Sequence, residues 1–186
     1  MGGWSINSYT MNTPAQSSAP SNGWYVVYTK PKHENKVHQQ LLADKYEAYL
    51  PLKKHHSVWS DRQKVLYKPL FPSYVFVYLD NIALYYKILK IYGTLAFIMF
   101  AGKFATVTED EINKIKQVLA ECNNIEVSSE DFSVGEKRKI MAGVFCGFDC
   151  EVIRHKGKKK ILVRIDSLKQ NIVAELNTSY FSNYSY

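Results

Sequence analysis

Three cysteines and five histidines are the residues of this sequence best suited to bind a metal ion or to act as nucleophiles. Cys146 and Cys150 are separated by three residues, and no second ligand pair follows at the spacing of a zinc site. His55 and His56 are adjacent, so on a strand their side chains point to opposite faces and do not readily share one ion. We therefore expect no metal site, and we interpret the cysteines as reduced structural thiols.

Other enzyme signatures are a nucleophile paired with a base, a carboxylate pair and a glycine-rich phosphate loop. The glycines of "AGVFCGFDC", residues 142–150, lie between two predicted strands rather than at a strand-to-helix turn, which argues against a phosphate loop. His33 and His38 fall on a predicted solvated helix. The sequence predicts no catalytic residue and no cofactor, and an enzyme whose catalytic residues are distant in sequence is the least favoured alternative.

Charge and aromatic content indicate a different chemistry. The formal net charge is +7 at pH 7, and the chain contains 14 tyrosines. Basic charge interleaved with aromatic rings is typical of proteins that work near phosphate backbones, although a merely basic protein has the same composition. Because neither a signal peptide pattern nor a run of about 18 apolar residues is found, we expect a cytoplasmic protein that does not enter a membrane.

Two domains are predicted, separated by a short acidic segment. Residues 1–22 are small, polar and aperiodic and read as a disordered arm, and residues 23–122 alternate strand and helix patterns in the order β-α-β-β-β-α-β-α. Residues 123–132 read as a linker because they lose periodicity. Residues 133–181 hold four short β-prone runs broken by glycines at the spacing of a small barrel, and residues 182–186 form a tail.

The helices of the first domain have recognisable limits in sequence. The segment "KPKHENKVHQQLLADKY" carries apolar residues at helical spacing, and a second helix is predicted before Gly93. Thr108 and Glu111 form a predicted capping box at the start of a third helix, whose buried stripe is Ile112, Ile115 and Leu119. A hairpin turn is predicted near residues 60 and 61. These elements predict an α+β domain, an antiparallel sheet with helices on one face.

The strand "YVFVYL", residues 74–79, is apolar on both faces, which is unusual for a sheet with one solvated side. Because Val75, Val77 and Leu79 suit close packing under helices, we assign the aromatic residues 74, 76 and 78 to the open face. Tyr28, which shares a face of the first strand with Trp24 and Val26, is expected to extend this patch. An exposed patch of this kind indicates a docking site. The competing interpretation is that residues 53–67 or the second domain cover these rings.

Read in order, "GWYVVYTKPKHENKV", "PLFPSYVFVYLD" and "GEKRKIMAGVFCGFDCEVIRH" resemble the NusG family of transcription elongation factors over residues 23–181. The first two segments are similar to that family's N-terminal domain, and the third is similar to its small all-β KOW barrel. Among its members the chain most resembles the specialised RfaH and UpxY antiterminators. The resemblance implies a factor without enzymatic activity that binds RNA polymerase during elongation and suppresses pausing or termination.

The resemblance also implies which residues act. In the family the aromatic sheet face contacts the clamp helices of the largest polymerase subunit, which corresponds here to Tyr28, Phe71, Tyr74 and Phe76. RfaH has a His-Thr-Thr element that contacts the second large subunit, and the aligned positions here read Leu84, Tyr85 and Tyr86, so Tyr85 and Tyr86 join the polymerase-binding candidates although they depart from the RfaH residues.

Basic residues after the first strand contact the non-template DNA in RfaH, which corresponds here to Lys30 and Lys36, with Lys32 beside them. A solvated helix start is the competing interpretation of these lysines. Nascent RNA is the other nucleic acid expected as a partner. A ribosome or a termination factor is expected to bind through the KOW domain. In RfaH the KOW segment can refold as helices, but the β-branched residues of "KKILVRID" and "QNIVAEL" favour strands here.

A function of another class stays open at this point. In that alternative the chain is an RNA-binding or ribosome-binding module that acts through the KOW domain and the basic loop "RHKGKKK", residues 154–160. Such a loop is more often a solvated turn. Salt dependence distinguishes the two functions, because phosphate contacts weaken steeply as salt rises whereas an apolar contact weakens little.

Overall fold

A computed structural model describes residues 22–59, 62–81, 83–129, 136–139, 149–155 and 158–175. The first region contains three helices among nine strands, in the order β1 (Gly23–Thr29), α1 (Glu34–Ala43), β2 (Ala48–Tyr49), β3 (Leu52–Trp59), β4 (Arg62–Pro69), β5 (Tyr74–Leu79), α2 (Ala83–Leu89), β6 (Thr94–Phe97), β7 (Met99–Phe100), β8 (Lys103–Phe104), β9 (Thr106–Val107) and α3 (Glu109–Glu121). The predicted order of elements is confirmed, with short additional strands around it. The predicted arm lies outside the described residues except for residue 22, and the predicted tail lies outside them entirely.

The first sheet is antiparallel, with the strand order β2-β5-β1-β6 and with β9 also pairing with β1. In the centre, Val26 lies opposite Phe76 and Tyr28 lies opposite Tyr74. Strands β3 and β4 form a separate two-stranded hairpin. The predicted hairpin is therefore confirmed, and its turn at 60–61 lies outside the described residues.

One face of the first sheet is aliphatic and covered by two helices. Val75, Val77 and Leu79 of β5 are buried in one cluster with Val37 and Leu41 of α1 and with Ile88 of α2. The predicted side for these aliphatic residues is confirmed. Since one residue in two along β5 points to this face, the same packing sends the side chains of residues 74, 76 and 78 to the opposite face.

The opposite face is also covered, which corrects the prediction that all helices lie on one face. Ile112, Ile115 and Val118 of α3 belong to one buried cluster with Trp24 and Phe76 of the first sheet. The physical reason is that α3 has its own apolar stripe to bury, while α1 and α2 already occupy the aliphatic face. The first domain is thus α+β with helices on both faces of its sheet.

Helix α3 begins where the capping signal predicts. The Glu111 amide donates to the Thr108 hydroxyl oxygen at 3.2 Å, and the Thr108 amide donates to the Glu111 carboxylate at 2.9 Å. Ile112 and Ile115 are buried as predicted. Leu119 is only partly buried, and Val118 takes the third buried position of the stripe.

The second sheet is antiparallel, with the strand order β10-β14-β13-β12-β11. Its strands are β10 (Asn123–Ser128), β11 (Glu136–Lys139), β12 (Asp149–His155), β13 (Lys158–Ile165) and β14 (Gln170–Glu175), and a 3₁₀ turn, Asp166–Leu168, joins the last two. The four predicted β runs are confirmed as β11 to β14. Their predicted glycine breaks at 143, 147 and 157 lie outside the described residues.

The predicted linker is wrong over residues 123–128, which form strand β10 and pair with β14. Ile125 and Val127 both pack against the buried cluster, as the alternation of side chains along a strand requires. The pairing register shifts between residues 123 and 126, where Asn124 has a φ of 48°. This irregularity interrupts the alternation of apolar and polar residues by which a strand is recognised in sequence. The second sheet therefore begins almost directly after α3.

Candidate functional site

The first sheet carries a continuous row of apolar and aromatic side chains on the side of α3. We call it the aromatic face, and it consists of Trp24, Val26 and Tyr28 of β1, Tyr49 of β2, and Tyr74, Phe76 and Tyr78 of β5. Antiparallel register brings these residues together, because Trp24 lies opposite Tyr78 while Tyr49 and Val26 both lie opposite Phe76. The alternation of β5 and β1 predicted this grouping, apart from Tyr49.

The rings of the aromatic face meet mainly edge to face. Tyr28 and Tyr74 have centroids 6.1 Å apart at 74°, and Trp24 and Tyr78 have centroids 5.8 Å apart at 73°. Phe71, in the loop before β5, meets Phe76 at 5.9 Å and 70°. Edge-to-face contacts at these separations stabilise aromatic pairs, so the rings hold one another in fixed orientations.

The aromatic face is not open, which corrects the prediction. Phe76 is 0% exposed and Phe71 is 2% exposed, whereas Tyr28 and Tyr74 are half-buried. Their cluster includes α3 and also the second sheet, through the side chains of Ile161, Val163, Ile165, Leu168, Ile172 and Ala174. The competing interpretation, in which the second domain covers the rings, agrees with this packing.

Polar contacts also join the first domain to the second. The Ser167 amide donates to Oε1 of Glu111 at 3.1 Å, while Oε2 of the same carboxylate accepts from Thr108 in the capping box. The Lys53 ammonium donates to the Ile125 carbonyl oxygen at 3.1 Å. The Glu111 carboxylate therefore caps α3 and also binds the second domain. Sequence reasoning identified only the capping role, because the second partner lies 56 residues away.

Burial moves the ionisation of several phenols of the first domain further above neutral pH. Burial raises the pKa of Tyr49 to about 12, and it also raises the pKa of Tyr25. Burial, followed by the neighbouring Tyr86, raises the pKa of Tyr85. A raised pKa favours the uncharged form, so these rings present apolar faces with protonated hydroxyl groups at neutral pH.

The two tyrosines of α2 have different environments. Tyr85 packs against Phe97 at 4.9 Å and Phe104 at 5.2 Å between ring centroids, and it belongs to the cluster under the aliphatic face. Tyr86 is exposed and meets Tyr85 edge to face at 5.1 Å. Of these two predicted site residues, Tyr86 is the one with most of its ring available to a partner.

The three predicted nucleic-acid-binding lysines all have exposed side chains at the junction of β1 and α1. Lys36 lies on α1, but Lys32 precedes the helix and has a φ of 64°, so Lys32 and Lys36 do not share a helical face. The cause is a turn closed by the His33 amide, which donates to the Lys30 carbonyl oxygen at 3.0 Å. Lys30 places its ammonium 4.9 Å from the centroid of the Tyr92 ring.

Lys160, the last residue of the predicted basic loop, is buried rather than solvated. Lys160 is 4% exposed, and its ammonium lies 3.7 Å from Glu126 and 3.8 Å from Glu175. Residues 156 and 157 lie outside the described residues. Lys160 therefore has a structural role between β10, β13 and β14 and is not available to a phosphate group.

Neither a cluster of metal ligands nor a membrane-spanning helix is found among the described residues. Within them, no group of three or more histidine, cysteine, aspartate or glutamate side chains is arranged to hold a metal ion. Among the helices of this part of the chain, none has the length and apolar character needed to cross a membrane.

Comparison with known proteins agrees with the fold and the order of motifs. A sequence profile described as "Transcription termination factor nusG" matches residues 22–116, which is half of the chain. The chain is 30% identical over 159 residues to the transcription termination/antitermination protein NusG of Chlamydia pneumoniae, covering 76% of this chain and 85% of that protein. The chain belongs to the NusG family.

Other relatives agree with this membership. The NusG of Bacillus subtilis, also named as a transcription termination/antitermination protein, is 27% identical over 159 residues, covering 76% of this NusG-family chain and 88% of that protein. A solved structure described as "Domain interaction in Thermotoga maritima NusG" has the same fold, with a TM-score of 0.50, 23% identity and coverage of 84% of this chain and 94% of that one. NusG-family proteins are transcription factors, and the chain is a transcription elongation and antitermination factor.

Proposed function

We propose that this NusG-family chain binds the clamp helices of the largest RNA polymerase subunit through its aromatic face and thereby suppresses pausing or termination. The observation that supports the proposal most directly is the aromatic face itself, seven side chains brought together by strand register on a central sheet. Aromatic residues are enriched at protein interfaces and supply most of the energetic anchors there. The proposed action involves no covalent chemistry.

The burial of the aromatic face divides the proposed contact residues into two groups. Tyr28 and Tyr74 are half-buried, so they present part of their rings to a partner in the arrangement described here. Phe71 and Phe76 are fully covered, so they contact a partner only if the layer above them moves. We propose that the second sheet separates from the first domain before the clamp helices bind, and that Tyr86 adds a contact from α2.

The specialised type is part of the same proposal. The chain shares with RfaH and UpxY proteins the segment "PLFPSYVFV" and a KOW-like glycine pattern, and we propose that the second sheet closes as a KOW barrel. The five antiparallel strands β10 to β14 are consistent with such a barrel. We also propose a cytoplasmic location, where polymerase is found.

The alternative function, an RNA-binding or ribosome-binding module that acts through the second domain, receives less support. Its strongest sequence feature was the basic loop, and Lys160 of that loop is buried between two carboxylates. A buried ammonium paired with carboxylates is a poor ligand for phosphate, because its charge is already compensated.

Tyr74→Ala is expected to weaken binding to purified clamp helices by about 2 kcal/mol, because it removes a partly exposed aromatic anchor. Affinity measured by calorimetry, together with thermal unfolding, tests the proposal. Tyr67→Ala is the matched control, since Tyr67 is an exposed tyrosine on β4, outside the aromatic face. Equal affinities for the wild type and the Tyr74 variant would contradict binding through the aromatic face.

We also propose that Lys30 and Lys36, with Lys32 as a nearby candidate, contact the displaced non-template DNA strand. All three residues are exposed at the β1–α1 junction. From residue 23 to residue 43 the only acidic residue is Glu34, which is buried and accepts a hydrogen bond from the Ser73 amide at 2.8 Å. The surface charge here is therefore positive, which favours and speeds association with phosphate groups.

The double substitution Lys30→Ala with Lys36→Ala is expected to slow loading onto paused elongation complexes several-fold and to leave binding to isolated clamp helices nearly unchanged. Removal of charges at the rim of an interface changes the association rate more than the dissociation rate. Single-round transcription on scaffolds with and without the non-template strand measures this effect. Lys45→Ala with Lys54→Ala removes two exposed lysines elsewhere and serves as the control. If the double variant behaves like the wild type on both scaffolds, these lysines do not contact DNA and are ordinary solvent-exposed residues.

A further inference from the structure

An exposed tyrosine beside the β1–α1 junction has no role in the proposed function so far. Tyr92 is 74% exposed, the largest exposed fraction among the exposed large apolar side chains of the described residues. The Lys30 ammonium lies 4.9 Å from its ring centroid, and the His33 ring meets it edge to face at 5.6 Å. A large ring held in this way between basic residues is available to a ligand.

The backbone fixes the position of this ring. Tyr92 and Gly93 are the central residues of a turn closed by the Thr94 amide, which donates to the Ile91 carbonyl oxygen at 3.0 Å. Gly93 has a φ of 100°, as the third residue of a type II turn requires. A Cβ atom at Gly93 would lie 3.1 Å from His33 Cβ and Val37 Cγ2, so only glycine allows the turn to approach α1 this closely.

A backbone hydrogen bond ties the turn to the basic junction. The Lys30 amide donates to the Gly93 carbonyl oxygen at 2.8 Å. The backbone that carries Tyr92 is consequently held beside Lys30, and the contacts with Lys30 and His33 orient its ring. A ring fixed in advance loses little conformational freedom when a flat ligand stacks on it.

The combination of an exposed aromatic ring with an adjacent lysine matches the chemistry of single-stranded nucleic acid. Such strands bind where bases stack on aromatic side chains while lysines follow the phosphates. Duplexes keep their bases stacked internally and have no base to offer such a ring. We propose that an unpaired base of single-stranded DNA stacks on Tyr92 while its flanking phosphates contact Lys30 and Lys36.

This inference deepens the proposed DNA contact and rests on it, because it adds a base-binding residue to the phosphate-binding lysines. The lysines alone provide binding without any interaction with bases. Stacking on Tyr92 adds a contact that requires a base at one position of the strand. Stacking also allows moderate preferences among bases, since stacking strength differs from one base to another.

The test measures binding of the full chain to single-stranded DNA of about 12 nucleotides, within the usual site size of such proteins. Abasic sites are introduced one position at a time, and fluorescence anisotropy gives each affinity. For the wild type we expect one position at which loss of the base weakens binding about tenfold. For Tyr92→Ala we expect binding to be about tenfold weaker throughout and the dependence on that position to disappear, as a double-mutant cycle requires for contacting groups.

Conservative and matched variants separate stacking from other effects. Tyr92→Phe keeps the ring and is expected to retain nearly wild-type affinity. Tyr67→Ala removes another exposed tyrosine, one on β4, and is expected to leave affinity unchanged. A fluorescent 2-aminopurine base at the sensitive position is expected to be quenched by the wild type and by Tyr92→Phe, but not by Tyr92→Ala.

The possible results distinguish this inference from the proposal beneath it. Unchanged affinity in Tyr92→Ala, with weaker binding in Lys30→Ala with Lys36→Ala, overturns the stacking inference and leaves the phosphate contact. Equal affinity for fully abasic and normal strands also overturns it. Absence of binding by the wild type overturns both. Tighter binding to RNA of the same sequence than to DNA overturns the assignment to a DNA strand.

Discussion

Phe76→Ala is expected to lower the free energy of unfolding by about 3–5 kcal/mol, the usual range for removing a fully buried phenylalanine. Phe76 is 0% exposed and packs against Phe71 and Tyr49, with ring centroids 5.9 Å and 6.2 Å away. Truncation to alanine removes these contacts and leaves a cavity between the sheet and its covering layer. Urea denaturation of both proteins measures the loss, with the m-value showing whether the unfolding transition is unchanged.

Two companion variants separate packing from partner contact. Phe76→Leu retains most of the apolar volume and is expected to recover more than half of the lost stability. Tyr74→Ala lies on the same strand and face but is half-buried, so its stability loss is expected to be smaller. If Phe76→Ala unfolds at the same urea concentration as the wild type, Phe76 is not part of a packed core, and the aromatic face is open in solution.

Alternation within single strands was enough to predict which residues share a face. Val75 and Val77 pack under α1 and α2, and Phe76 points to the opposite face, because side chains alternate along a strand with a period of two. The start of α3 was equally readable, since a capping box is a local signal over four residues. Local patterns of this kind need no knowledge of distant contacts.

What lies above a face is a different question, because it depends on residues far apart in sequence. Nothing near Phe76 in sequence indicates that Ile112 of α3 or Ile165 of the second sheet belongs to the same cluster. The amphipathic stripe of α3 was visible, but its choice between two apolar sheet faces follows from the space already occupied by α1 and α2. Exposure was therefore the part of the prediction that failed.

Tyr92 illustrates a second limit. In sequence it is one of 14 tyrosines and lies at the end of a predicted helix without any distinguishing motif. Its proximity to Lys30 depends on the hydrogen bond between the Lys30 amide and the Gly93 carbonyl oxygen. The second helix was predicted to continue up to Gly93, whereas α2 ends at Leu89 and the glycine belongs to a separate turn. Only the three-dimensional arrangement places the ring beside the basic residues.

Glu111→Gln is expected to raise the affinity of the full chain for clamp helices by about tenfold or more. Oε1 of Glu111 accepts the Ser167 amide and Oε2 accepts the Thr108 amide, so one carboxylate joins the second domain to the start of α3. Glutamine also occurs at the N3 position of capping boxes, so the helix start is expected to persist. Its amide nitrogen does not accept a hydrogen bond, so the variant cannot satisfy both donors.

The magnitude follows from the energy of that contact. A hydrogen bond to a charged group contributes about 1.5–3 kcal/mol, which corresponds to a factor of about 10 to 100 in the closed-to-open equilibrium. When the closed arrangement predominates, the apparent affinity of a partner that needs the open one rises by the same factor. Weaker closure therefore appears directly as tighter binding, although Glu111 itself lies outside the proposed contact residues.

Asp110→Asn provides the matched control for this effect. Asp110 is also in the first turn of α3 and is 73% exposed in its side chain, with its carboxylate 2.6 Å from the Lys114 ammonium. Both substitutions remove one negative charge near the helix start, but only Glu111→Gln removes an acceptor from the Ser167 amide. A lower melting temperature without any gain in affinity for Glu111→Gln would mean that this carboxylate only caps α3. Equal gains in both variants would trace the effect to charge at the helix terminus, whereas a gain confined to Glu111→Gln would tie polymerase binding to release of the second domain.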